Sequence, residues 1–260
     1  EIAQCLVGSE MCIRDRYKTL EDGDSLALHI FKPRNMQAGE KRPAIVYFFG
    51  GGWKLGTPIQ FYRECAYYAS KGMVAVSVDY RIGYLHHSTP FESFEDAKDA
   101  ICWLRSHASD YQLDPDKIAV AGGSAGGHLA AALGTIGSDE TVPAGYRPNL
   151  SVLYYPVIDM VSRGYGFPEI KRDFEKISPI HHVSEATPST LILLGTKDPI
   201  VSVETIEAYQ DKLLQKGVDC ELHLFEGAGH PIFLYRKPLT EEYYKVRKLT
   251  DDFLKRQGFL

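Results

Sequence analysis

The stretch from Lys117 to Gly134, KIAVAGGSAGGHLAAALG, constrains this chain more than any other. Ile118 and Val120 alternate with smaller residues as a short buried strand does, and Leu129 to Leu133 form an Ala/Leu-rich run that reads as a helix. Between them lies Gly122-Gly123-Ser124-Ala125-Gly126. A chain that passes from strand to helix so abruptly must turn sharply. The turn forces an unusual backbone on Ser124 and needs small neighbours so that strand and helix can approach. It holds the Ser124 hydroxyl above a sheet, with a helix N-terminus behind it that favours negative charge. A flexible glycine turn is the bland reading of the same residues. The flanking strand and helix favour the other, and Ser124 is a candidate nucleophile.

The rest of the chain repeats the alternation. Ser25 to Phe31 alternates apolar and polar residues and stops at Pro33, which predicts a half-exposed edge strand. Continuous apolar runs at Ala44–Phe49 and Met73–Val78 predict strands covered on both faces. Further strands are expected at Ser151–Val157, Thr190–Leu194 and Cys220–Phe225. Helices are expected at Phe61–Ser70, ended by Gly72, and at Phe94–Ala108, Ser202–Lys216 and Thr240–Arg256, the last three with an apolar face at helical spacing. Strands that alternate with helices imply an α/β fold with a mostly parallel sheet and helices on both faces.

At 260 residues the chain suits one domain, expected over 17–260. Residues 1–16, EIAQCLVGSEMCIRDR, show no signal-peptide order and resemble a translated adapter read, so they are expected to be a non-native or disordered leader. Any native signal peptide would then be missing with the true N-terminus, and location, secreted or periplasmic or cytoplasmic, stays open. Residues 159–188 join two strands without clear periodicity, and so long a connection suggests a small cap. The net charge of -5 speaks against a nucleic-acid partner, and no apolar run reaches the roughly 18 residues of a membrane span. The five cysteines form no C-x-x-C pair, and His86-His87 and His181-His182 match no metal spacing, so no metal is expected.

In parallel sheets, reactive residues sit on loops at the carboxyl ends of strands. Those loops here carry Gly50-Gly51-Gly52-Trp53, Asp79-Tyr80-Arg81, Ser124, Gly195-Thr196-Lys197-Asp198 and Glu226-Gly227-Ala228-Gly229-His230. Serine, aspartate and histidine therefore occur at strand ends in the order Ser124, Asp198, His230. Serine needs a base within hydrogen-bond reach, and histidine titrates near neutrality. An aspartate would fix the imidazole tautomer and stabilise the imidazolium. Glu226 and Asp219 are rival acids, less well placed along the chain. Gly51 and Gly52, with the N–H of Ala125, are the candidate donors to a developing oxyanion.

The motifs FFGGGW, VSVDYR, AGGSAGGHLAA, ISPIHHV, LLGTKDPIV and GAGHPIF resemble those of α/β-hydrolase esterases. The resemblance is to the hormone-sensitive-lipase-like and acetyl-esterase group, and especially to the bacterial bifunctional acetylxylan/feruloyl esterase families. It covers about Tyr17 to Leu260 and implies an α/β-hydrolase fold, Ser124, Asp198 and His230 as a triad, and Gly51, Gly52 and Ala125 as the oxyanion hole. It also implies that Arg81 pairs with Glu95 or Asp96. One departure is Phe49, where the family usually has histidine before the triglycine, and aromatic packing is expected to replace the lost hydrogen bond. Trp53, His86, Tyr165 and Phe167 are candidate pocket walls, although core packing explains any one of them as well. The expected activity is hydrolysis of short-chain carboxylic esters through an acyl-enzyme, without metal or organic cofactor. The implied substrate is a small-molecule or oligosaccharide ester, such as an acetylated or feruloylated plant-polysaccharide fragment. A peptidase on the same fold and a non-catalytic binding protein are the alternatives.

Overall fold

The apolar run at residues 44–48 is fully buried, as a strand flanked on both sides and covered on both faces must be. It belongs to strand β3 (Arg42–Phe48). The computed structural model describes residues 11–137, 144–160, 173–234 and 239–260. In chain order the other strands are β1 (Met11–Thr19), β2 (Ser25–Lys32), β4 (Val74–Val78), β5 (Leu113–Gly123), β6 (Leu150–Tyr154), β7 (Thr190–Gly195) and β8 (Cys220–Phe225). Among the described residues they form one sheet in the order β1-β2-β4-β3-β5-β6-β7-β8. The pairs β1–β2 and β2–β4 are antiparallel, and every later neighbouring pair is parallel.

The helices are α1 (Tyr62–Ser70), the short α2 (Gly83–His86), α3 (Pro90–Ser106), the short α4 (Ala108–Tyr111), α5 (Ala125–Thr135), α6 (Val203–Gln215) and α7 (Glu241–Arg256). Helix α3 begins before the expected Phe94 because Thr89 and Glu92 close a capping box and Pro90 suits the first turn. Helix α7 docks on α1 through Glu64, whose buried carboxylate takes bonds from Tyr243 and Arg247. Burial pushes the Glu64 carboxyl up, and those two partners offset part of the rise.

Two expectations are corrected at the sheet edge. Ser25–Phe31 is not an edge strand: residues 26–31 are buried, because β1 lies outside them. The one histidine in that alternation, His29, is held by the Tyr62 hydroxyl at 2.7 Å, and burial lowers its pKa to about 4. Residues 11–16, expected in a leader, pair with β2 from Met11↔Lys32 to Arg16↔Ala27. Their charges (Arg14, Asp15, Arg16) suit an edge strand, and Cys12 and Ile13 of the same segment pack against the core. Residues 1–10 lie outside the described residues, as do 161–172 of the expected cap.

Of the two acids offered for Arg81, the structure selects Asp96. Arg81 donates from Nε and Nη2 to its two carboxylate oxygens, each at 2.8 Å, and from its backbone N–H at 2.9 Å. Glu95 pairs with Lys98 instead. Asp96 is fully buried and also receives Lys18 of β1 at 2.6 Å, so one carboxylate ties β1, the loop after β4 and α3 together. Asp96→Asn is expected to cost about 2–3 kcal/mol, because it leaves half-buried Arg81 without its carboxylate and puts an amide N–H₂ against the cations, while Lys18 keeps Asp99. Glu95→Gln should stay within about 0.5 kcal/mol. Urea denaturation of the two variants measures the difference.

Candidate active site

Strand β3 lies where the order of the sheet reverses: the chain goes from β3 to β4 on one side, then returns to place β5 on the other. Carboxyl ends of strands open a crevice at such a point. Phe48 pairs with Gly122 in the β3–β5 register, so the loop after β3 and the turn after β5 leave the sheet side by side. The approach is close. A Cβ on Gly126 would lie 2.0 Å from the Phe48 carbonyl oxygen, so only glycine fits there.

Ser124 occupies the turn with φ 56° and ψ −118°, a strained conformation for a residue with a side chain. Its N–H donates to the Tyr154 carbonyl of β6 at 3.0 Å, and its carbonyl accepts the first bond of α5 from His128 N–H at 2.9 Å. The strain is thus held by the strand on one side and the helix on the other. The residue as a whole is buried, with 9 % of its surface exposed.

Loops after β7 and β8 complete the site. Gly195 and Phe225 pair at the ends of these strands, and Lys197 N–H donates to the Ala228 carbonyl at 2.9 Å. That bond brings Asp198 and His230 together. The Ser124 hydroxyl lies 2.8 Å from His230 Nε2, and His230 Nδ1 lies 2.7 Å from Asp198 Oδ2. The other carboxylate oxygen of Asp198 accepts the N–H groups of Ile200 at 2.8 Å and Val201 at 3.0 Å. Burial pushes the Asp198 carboxyl up, but the His230 bond and the two N–H donors outweigh it and hold it below its ordinary 3.8. An ionised carboxylate only accepts, so Nδ1 carries the proton and Nε2 is left to accept from serine. The rival acids stand elsewhere: Glu226 is exposed, and Asp219 holds the Gln257 amide at 2.9 Å.

Gly51, at φ 145°, turns the triglycine loop where a Cβ would meet the Leu55 carbonyl oxygen at 1.9 Å. Among the described residues, the N–H groups of Gly51, Gly52 and Ala125 bond to no backbone carbonyl. Phe49, in the place of the expected histidine, stacks on Tyr80 with ring centroids 4.0 Å apart and planes 14° apart.

The candidate pocket walls fare differently. Trp53 is buried, with its ring edge-on to His128 at 5.1 Å, and it lines a cavity of about 350 Å³ with Lys54, Gly83, Tyr84, Ser88, Thr89 and Pro90. His86 turns its Nδ1 to the Ile82 N–H at 3.0 Å and lines a separate cavity with Arg81 and the turn between β1 and β2. Tyr165 and Phe167 lie outside the described residues. Three further residues of the site carry no clear signal in the sequence. Tyr155 packs its ring against His230 at 4.8 Å. Gln60 Oε1 accepts from the Gly50 N–H at 2.6 Å, at the start of the triglycine loop and ten positions away. His128 donates Nε2–H to the Ile177 carbonyl at 2.6 Å, and burial lowers its pKa to about 4. Tyr155 directly follows β6, which ends at Tyr154 and not at the expected Val157, so the carboxyl-end rule reaches it only once the strand's true end is known.

The sequence model of the BD-FAE family matches residues 28–162. Esterase LipC of Mycobacterium tuberculosis is 28% identical over 241 residues, which cover 80% of this chain and 57% of the relative. An acetylxylan esterase of Xylanibacter ruminicola is 26% identical over 227 residues, covering 81% of this chain and 44% of that one. The chain spans about half the length of the curated relatives it matches. A solved thermophilic esterase of the planctomycete Thermogutta terrifontis, Est2 with propionate bound, superposes with a TM-score of 0.88 at 37% identity, covering 96% of this chain and 95% of that chain. The same esterase has been solved with butyrate bound and phosphorylated by paraoxon.

Two stability experiments follow from the geometry. Ser124→Gly relieves the positive-φ strain that Ser124→Ala retains. After the extra chain entropy of glycine, it should be the more stable variant by about 1 kcal/mol in urea. Asp198 has a folded pKa below its unfolded one, so its contribution is fully present above pH 3.8 and is lost as pH falls through the depressed folded value. The stability gap between the wild type and Asp198→Asn should therefore shrink steadily as pH falls below about 4. Denaturation curves at stepped pH check the sign.

Proposed function

This chain belongs to the BD-FAE family, and on that premise we propose that it is a carboxylic-ester hydrolase working through an acyl-enzyme on Ser124. The observation that carries the reading is the unbroken relay from Ser124 Oγ through His230 to an ionised, buried Asp198. In the first half-reaction His230 Nε2 takes the hydroxyl proton as Ser124 Oγ attacks the ester carbonyl. The negative charge gathers on the carbonyl oxygen, where the N–H groups of Gly51, Gly52 and Ala125 receive it. The tetrahedral intermediate collapses as the bond to the leaving alcohol breaks, and His230 returns the proton to that alcohol. Water then repeats the sequence on the acyl-serine and releases the acid. Asp198 stays ionised throughout, holding the imidazole tautomer and stabilising its charged form.

We infer short-chain esters as the substrate class. The propionate and butyrate bound in the similar Thermogutta terrifontis esterase support a short acyl group. The similar acetylxylan esterase supports acetylated plant-polysaccharide fragments as the natural source. Each extra buried methylene would contribute up to about 0.8 kcal/mol of transition-state binding, but only where the site offers apolar surface to receive it.

Ser124→Ala should lower kcat by at least about 10⁴-fold and abolish labelling by a fluorophosphonate probe, with the fold retained. Asp198→Asn should cost far more activity than Glu226→Gln or Asp219→Asn. Across p-nitrophenyl acetate, butyrate, octanoate and palmitate, kcat/KM should peak at acetate or butyrate. A peak at octanoate or beyond would overturn the short-chain reading, and an active, folded Ser124→Ala the acyl-enzyme.

A further inference from the structure

The peptide group joining Phe49 to Gly50 is the last one before the two glycines proposed as oxyanion donors. Both of its polar atoms are taken by side chains. The Tyr80 hydroxyl donates to the Phe49 carbonyl at 2.6 Å, and the Gly50 N–H donates to Gln60 Oε1 at 2.6 Å. The C=O and N–H of a trans peptide point in opposite directions from one rigid plane. Two bonds on opposite sides therefore resist rotation of that plane about the chain axis. Such rotation is otherwise cheap here, since it changes φ of a glycine.

Both arms of this grip rest on β4. Tyr80 follows the carboxyl end of that strand, is fully buried and stacks its ring on Phe49. Gln60 sits in the turn Pro58–Phe61, and Ser77 of β4 ties that turn down by donating to the Pro58 carbonyl at 2.7 Å. The gripped peptide also lies against the nucleophile. A Cβ on Gly50 would meet the Gly123 carbonyl oxygen at 2.8 Å and Ser124 Cβ at 3.4 Å. A turn of the plane at this point would redirect Gly51 and Gly52 beside Ser124.

We propose that Gln60 and Tyr80 are positioning residues that clamp the Phe49–Gly50 peptide and so aim the Gly51 and Gly52 N–H groups at the oxyanion. The proposal rests on the reading of those N–H groups as the oxyanion donors. Their bonds strengthen only as charge develops, so loosening the clamp weakens transition-state binding and leaves ground-state binding nearly untouched. Misplacing a catalytic group by about 1 Å costs on the order of 100-fold in rate.

The test uses Tyr80→Phe, which keeps the stacked ring and removes the hydroxyl, and Gln60→Met, which keeps the size and removes the acceptor. They act on opposite ends of one peptide, so either folded variant decides the matter. With p-nitrophenyl butyrate, each should lose about 10- to 100-fold in kcat with KM within about 2-fold of wild type. An aryl trifluoromethyl ketone, which adds to serine as a tetrahedral oxyanion, should bind more weakly in proportion to the loss of kcat/KM. A folded variant with wild-type kcat and ketone affinity would overturn the clamp. So would a loss confined to KM and thermal stability. If the ketone fails to inhibit the wild type while fluorophosphonate still labels it, the oxyanion reading itself falls and takes the clamp with it.

Discussion

The site depends on the parallel pairing of β3 with β5. Register places Phe48 opposite Gly122, and the absence of a side chain at Gly126 lets α5 start almost in contact with the Phe48 carbonyl. Any larger residue there would push the helix, and with it Ser124, away from the loop after β3. The proposed nucleophile and its proposed oxyanion donors come from segments some seventy positions apart, yet one hydrogen-bonded ladder holds them side by side. Strands β7 and β8 repeat the device on the other side of Ser124, where the bond from Lys197 to Ala228 joins the acid loop to the histidine loop.

The strain at Ser124 is affordable because of what flanks it. A non-glycine residue held in a sparsely populated region costs about 1–3 kcal/mol. Burying one Val, Leu or Ile side chain contributes about 1.5–3 kcal/mol, and Ile118, Val120, Leu129 and Leu133 are all fully buried beside the turn. The same rigidity serves the electrostatics. Asp198 is removed from water and yet ionised, because three N–H donors meet its two oxygens. A carboxylate so held has one orientation to offer the imidazole, which fixes the tautomer before any substrate arrives.

The central strands were legible because continuous burial leaves a continuous apolar run, and Ala44–Phe48 or Leu191–Leu194 have no other use for such a sequence. The edge was not. Residues 11–16 offer only Cys12 and Ile13 to the core among charges at 14–16, too short and mixed a pattern to mark a strand by itself. With that strand unseen, β2 reads as the edge, and its alternation as half exposure. His29 shows why alternation misleads here: a polar residue can face inward where a partner such as Tyr62 meets it. Trp53 shows the converse, an aromatic residue beside the triglycine whose ring goes to the interior, against His128.

Composition, strand-to-helix alternation and the order of Ser124, Asp198 and His230 along the chain were enough to determine an α/β sheet and to nominate three residues for one site. These are properties of short windows and of chain order, which local propensity and the carboxyl-end rule can reach. Only the tertiary structure decided that Asp198 rather than Glu226 or Asp219 meets His230, that Asp96 rather than Glu95 meets Arg81, and that Gln60 and Tyr80 grip the Phe49–Gly50 peptide. Each of those choices turns on a side chain crossing between strands or loops at 2.6 to 2.8 Å. Such a distance is set by sheet order and register, and neither leaves a mark on the residues in between.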